Sequence, residues 1–162
     1  MIVLRHLVAT LAYRAAKVLR DVPPGFAAAS AGGSARQPVQ IIGHMADLMA
    51  WAIAMAQGDN VWKAAGSGDW DTEVARFFDG LGALDRELAA RDPDASSLEQ
   101  LIQGPLTDAL THVGQLAMLR GLAGSPTRPE NYARADIVAG RVGREQPAAR
   151  REFDGDASAR RD

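Results

Sequence analysis

Apolar residues in this chain recur at alternating steps of three and four along separate stretches, and nowhere do they alternate one-for-one with polar residues. That period puts them on one face of an α-helix, so the chain must bury helix against helix rather than pair strands. Leu4, Val8, Leu11, Ala15 and Val18 form the first stripe, and Ile41, Met45, Leu48, Ala52 and Met55 the second, with Trp51 flanking it. Val74, Phe77, Phe78, Leu81, Leu84 and Leu88 form the third. Leu106, Ala109, Val113, Leu116 and Leu119 form the fourth. Breakers bound the stripes. Val22-Pro23-Pro24-Gly25 closes the first helix, and Pro38 suits the first position of the second, where its missing N–H costs nothing. Gln57-Gly58-Asp59-Asn60 ends that helix. Asp71 is expected to cap the third, and Arg91-Asp92-Pro93-Asp94 to stop it. Ser97 is expected to cap a short segment holding Leu98, Leu101 and Ile102, which breaks at Gly104-Pro105 before Pro105 restarts the last helix.

These signals predict an all-α fold, a four-helix bundle with helices over about 2–21, 38–57, 71–91 and 105–123 in a single domain spanning 1–143. The connections after the first two helices are long enough to cross over the bundle. Trp62 and Trp70 are expected to pack over its ends. Residues 130–142 are read as a short extra helix with Ile137 and Val138 facing inward. Residues 144–162 are charged and broken by Pro and Gly, and are expected to form an irregular, mobile tail. The opening twenty residues are apolar, but Arg14, Lys17 and Arg20 stand where a secretory signal would be cleaved. A transit peptide fits that segment better than a signal peptide does, and a core helix fits it best. No apolar run reaches the roughly 18 residues of a membrane span, so a membrane partner is not expected.

Composition narrows the chemistry. The 162 residues include no cysteine, which removes disulfides, thiolate metal sites and cysteine nucleophiles, and suits the cytoplasm. Arg in place of Lys nearly throughout, with much Ala and Gly, is the usage of a GC-rich bacterial genome. Eighteen basic against 20 acidic side chains leave a net charge of −2, without the basic footprint that a nucleic-acid partner requires. Imidazole chemistry must draw on His6, His44 or His112.

His44 falls between the core positions Ile41 and Leu48, and His112 lies four residues before Leu116. Asp108 precedes His112 by four, so both project from one helical face with Cβ atoms about 5–6 Å apart. A carboxylate and an imidazole so placed can converge on one ion, and His44 from a second helix would complete a set of two His and one Asp. Such a set leaves coordination positions open for water or substrate. The same residues also fit a hydrogen-bonded core imidazole and a plain i,i+4 ion pair. His6 lies off its helix's apolar face and is read as a rim residue. Asp47 is a candidate to orient an imidazole from behind, or else a solvated carboxylate. Gln115 either lines the site or bridges helices.

The segments Ile42-Gly43-His44-Met45-Ala46-Asp47-Leu48 and Thr111-His112-Val113-Gly114-Gln115 resemble the two signatures of the DinB-like, or YfiT-like, superfamily of small metal-binding helical proteins. The likeness extends over about residues 1–123 in helix order and spacing. His44 matches that family's first ligand and His112 its last, while Gly114 and Gln115 match the close of its second motif. Asp108 stands where the family's middle His is usual, and Val113 where a basic residue is usual. The resemblance implies one divalent metal ion held by His44, Asp108 and His112, zinc or nickel foremost, with iron and manganese admissible. It implies an enzyme in which the metal activates a low-molecular-weight thiol, in S-transfer or isomerisation of a small-molecule substrate. A metal-bound hydroxide acting as a hydrolase, and a non-catalytic bundle that binds a ligand or partner, are the alternatives. An exposed helix face is expected to pair two copies into a homodimer.

Overall fold

The computed structural model describes residues 2–91 and 93–153. Among these the fold is all-α: helices α1 (Ile2–Leu19), α2 (Pro38–Ala56), α3 (Trp70–Ala90), α4 (Ala95–Leu101) and α5 (Thr107–Leu122), without a β-strand. α2 packs most extensively on α3 and also on α5, and α1 packs on the same two helices. Every residue of the four stripes is buried.

The α2–α3 contact is close because of a glycine. A Cβ on Gly80 would stand 2.7 Å from the Met49 Cβ, so only a bare Cα lets the two backbones approach this far. α1 ends where Asp21 adopts a left-handed φ of 49°, ahead of the prolines. Its last carbonyls are not left to water. The buried Arg120 of α5 donates to the carbonyls of Val18 at 3.0 Å, Arg20 at 2.6 Å and Asp21 at 3.3 Å.

The caps differ from expectation by a residue or two. Asp69, not Asp71, caps α3 and accepts from the Thr72 amide at 2.9 Å; Asp71 lies inside the first turn. Asp94, not Ser97, caps α4, accepting from the Ser97 amide at 3.0 Å and its hydroxyl at 2.8 Å. Within the short helix only Leu101 is fully buried, while Ile102 is exposed. The expected break at Gly104-Pro105 is present: Gly104 has the non-helical φ −91° and ψ −106°, a kink inside the π-helical turn Ile102–Leu106. The kink parts α4 from α5 and leaves Pro105 just ahead of the second helix.

α2 is long and apolar enough to span a membrane by length and hydropathy, contrary to the sequence reading, but over half of that stretch is buried against other helices, as in a core helix. The extra helix over 130–142 does not form. A 3₁₀ turn at Tyr132–Arg134 is followed by irregular chain, Val138 is exposed, and Val142 is the buried residue. Nor are residues 144–153 loose. The Asn131 amide donates to the Arg151 carbonyl at 3.0 Å, and the Phe153 amide to the Pro129 carbonyl at 3.1 Å. Lys17 of α1 bridges Glu130 at 2.8 Å and Glu152 at 2.6 Å, and the Tyr13 hydroxyl donates to Glu130 at 2.7 Å. Residues 154–162 of the expected tail lie outside the described residues.

Candidate metal centre

His44 reaches the centre from the middle of α2, and Asp108 and His112 from consecutive turns of α5, just beyond the π-helical turn. The His44 Nε2 is 3.3 Å from one Asp108 carboxylate oxygen, and the His112 Nε2 is 3.4 Å from the other. The two rings are perpendicular, with centroids 4.9 Å apart. One ligand atom from each residue lies within 4.8 Å of the others, so the three could hold a metal ion. His112 is buried, His44 half-buried, and the Asp108 side chain is 45% exposed, which leaves an open side toward solvent.

The polarity of the group tests whether an ion suits it. The His112 Nδ1 is 2.8 Å from the Gln115 side-chain oxygen, which can only accept. With that oxygen as the acceptor, a neutral His112 carries its proton on Nδ1 and turns the Nε2 lone pair toward a carboxylate oxygen. Two acceptors facing each other need a cation between them, either a proton on the ring or a metal. The separations of 3.3 and 3.4 Å admit both, since the first is within hydrogen-bond reach and two ligands bound at about 2.0–2.1 Å to one tetrahedral ion stand about as far apart. Gln115 thus touches the centre directly and does not bridge helices through any hydrogen bond among the described residues. His6 is exposed on α1 and outside the group.

Asp47 is in neither of its expected places. It is buried, pairs with Arg76 of α3 at 2.6 Å, and accepts the Ala65 amide at 3.2 Å. Arg76 also binds Glu73, which takes the amide and the hydroxyl of Ser67. Burial by itself would raise the Glu73 carboxyl's pKa, but those bonds and the Arg76 charge outweigh it and hold the group below its ordinary 4.5. Gly43, the residue before His44, leaves room for this carboxylate, which comes within 3.4 Å of where a Cβ would be.

Together these residues fasten the α2–α3 connection over the His44 side of the centre. The connection delivers Trp62, whose ring lies 5.5 Å from His44 and 5.8 Å from Trp51. Trp51 in turn donates to Asn60 at 2.7 Å. Trp62 therefore belongs to the site rather than to the end of the fold, whereas Trp70 packs edge-on against Phe26 at 5.6 Å. Glu73, Arg76 and Trp62 were not found as site residues from sequence. The signals were slight: a Glu and an Arg three apart on α3, and a tryptophan in an otherwise small-residue loop.

No family model, curated protein or solved structure matches this chain.

Proposed function

We propose that this protein is a metal-dependent enzyme of the DinB-like type, a four-helix bundle with crossover connections that holds one divalent ion at His44, Asp108 and His112. The observation that carries the reading is the His112 Nε2 lone pair turned toward Asp108 at 3.4 Å, with its tautomer set by Gln115. The shared packing of α1 and α2 on α3 and α5 supports the bundle, since α1 then sits across from α2 and α3 across from α5.

An ion bound there supplies Lewis acidity that lowers the pKa of a thiol or water on its open side. The chain's own part is to fix the ligands and shape the approach. Gln115 holds His112 in the tautomer that presents Nε2. Asp108 contributes one negative charge, leaving a divalent site with net +1, a weaker acid than three imidazoles would give. Trp62 and Trp51 flank the His44 side of the approach. The reaction the DinB-like resemblance implies is thiol-dependent S-transfer or isomerisation, and in a chain without cysteine the thiol for it must come from a small molecule. Zinc or nickel fits best, with iron or manganese next. The reading places the enzyme in the bacterial cytoplasm, acting on a small molecule without a nucleic-acid or membrane partner. Two copies would pair through apolar residues such as the exposed Ile2, Val3 and Ile102.

Elemental analysis of protein purified without affinity nickel is the test. About one ion per chain in wild type, lost in His44→Ala, Asp108→Ala and His112→Ala, is expected. Trace metal in wild type, unchanged in the variants, would leave a non-catalytic ligand-binding bundle. With metal present, thiol-independent ester or amide cleavage would favour the hydrolase.

A further inference from the structure

Two clefts flank the centre and share one wall. The first, about 300 Å³, runs along His112 and is lined by Ala35, Ile41, Met118 and Leu119, with Arg36 at its edge. The second, about 470 Å³, runs along His44 and Trp62, and Arg36 lines it as well. At roughly 30 Å³ for each water-sized group, the first cleft takes a molecule of about ten non-hydrogen atoms. Its wall is largely aliphatic, so an apolar body gains by leaving water there.

The charges select the rest of the molecule. Asp47 also lines the second cleft, but Arg76 neutralises it. The first cleft contains no carboxylate. Arg36 lines both clefts, and its guanidinium has no ion pair or hydrogen bond among the described residues. One planar fork of donors matches one carboxylate, whereas a phosphate dianion would call for further positive charge.

We propose that the cleft beside His112 binds a small carboxylic acid with an apolar chain, its carboxylate paired with Arg36 and its chain against Ile41, Met118 and Leu119. The ligand class deepens the enzyme reading, since it places an anionic, largely apolar substrate next to the candidate metal centre. Binding itself needs only Arg36 and the cleft.

The test uses octanoate, which has the required size, with 1-octanol as its uncharged counterpart. Each is titrated into the full chain as purified and again after chelator treatment. The readout is the methyl resonance of Met118, assigned with Met118→Leu. Octanoate is expected to shift that resonance and to bind about fivefold more tightly than octanol in both preparations. Arg36→Gln should bring the two ligands to parity, and Arg36→Lys should keep most of the preference. Equal binding of acid and alcohol in wild type overturns the proposal, as does a preference that survives Arg36→Gln or a shift confined to other methionines. A preference that vanishes on chelation also overturns it, because the metal and not Arg36 would then hold the carboxylate. Absence of metal with the Arg36-dependent preference intact would sink the enzyme reading and leave the ligand site standing.

Discussion

At the scale of single residues, a neutral glutamine sets the direction of the candidate centre. Gln115 can be removed without opening the core, because its side chain is exposed. Gln115→Leu should therefore keep the fold and its melting temperature while weakening metal binding about 10–100-fold, measured by competition with a chelating dye. Unchanged affinity would show that the ring orientation needs no help. Glu73 makes the opposite kind of prediction. Its carboxyl is held below 4.5, so its contribution to stability is complete above that value. It is lost as pH falls from there through the lower native pKa. Denaturation midpoints followed down through the acid range should show this loss, and Glu73→Gln should flatten the slope. The same acidification should loosen the Trp62 loop, seen as a change in tryptophan emission. Asp108 and His112 were legible as a pair because their i,i+4 spacing is local, whereas His44, 64 residues from Asp108, was reached through its core-facing position on α2 and the family resemblance. Asp47 was misplaced because its partner Arg76 is 29 residues away, and local spacing carries no trace of such a pairing.

Element by element, the sequence reveals what repeats and hides what fits once. The stripes of α1, α2, α3 and α5 follow from their 3.6-residue period, and all are buried. The caps fell elsewhere because several Asp and Ser residues cluster at each helix start, and only the one in register with an orphan amide is chosen. Glycines divide in the same way. Gly114 on α5 has open space where a Cβ would be, whereas Gly80 on α3 faces the Met49 Cβ at 2.7 Å. Gly114→Ala should raise stability by about 0.5–1 kcal/mol through helix propensity. Gly80→Ala should reverse that sign, costing about 1–3 kcal/mol as α2 and α3 are pushed apart. Urea denaturation of the pair decides the matter, since both variants carry the same propensity gain.

Across the whole molecule, the last described residues bind the first helix. Lys17 stands between Glu130 and Glu152, the Glu130 side chain is fully buried, and Tyr132 meets Tyr13 edge-on at 6.3 Å. Burial near Glu130 drives the Tyr13 hydroxyl's pKa far up, so it remains a donor throughout the usable pH range. Lys17→Ala leaves the buried carboxylate with Tyr13 alone and should cost about 3 kcal/mol, the low end for breaking a buried pair. A loss under about 0.5 kcal/mol would class the contact with ordinary surface pairs. The reading of a loose tail failed over 144–153 because Lys17 and Glu152 are 135 residues apart, and charge content alone cannot tell a solvated segment from one that has found its counter-charges.

The π-helical turn before Asp108 has a further effect on how this chain can vary. Each α-helical residue rotates the next by about 100°, so one residue deleted between Asp108 and His112 would swing the imidazole to another side of α5. The kink at Gly104 ends the phase of α4 before that of α5 begins. Upstream of it α4 can gain or lose a residue and change phase, while downstream Asp108 and His112 keep their bearing on His44.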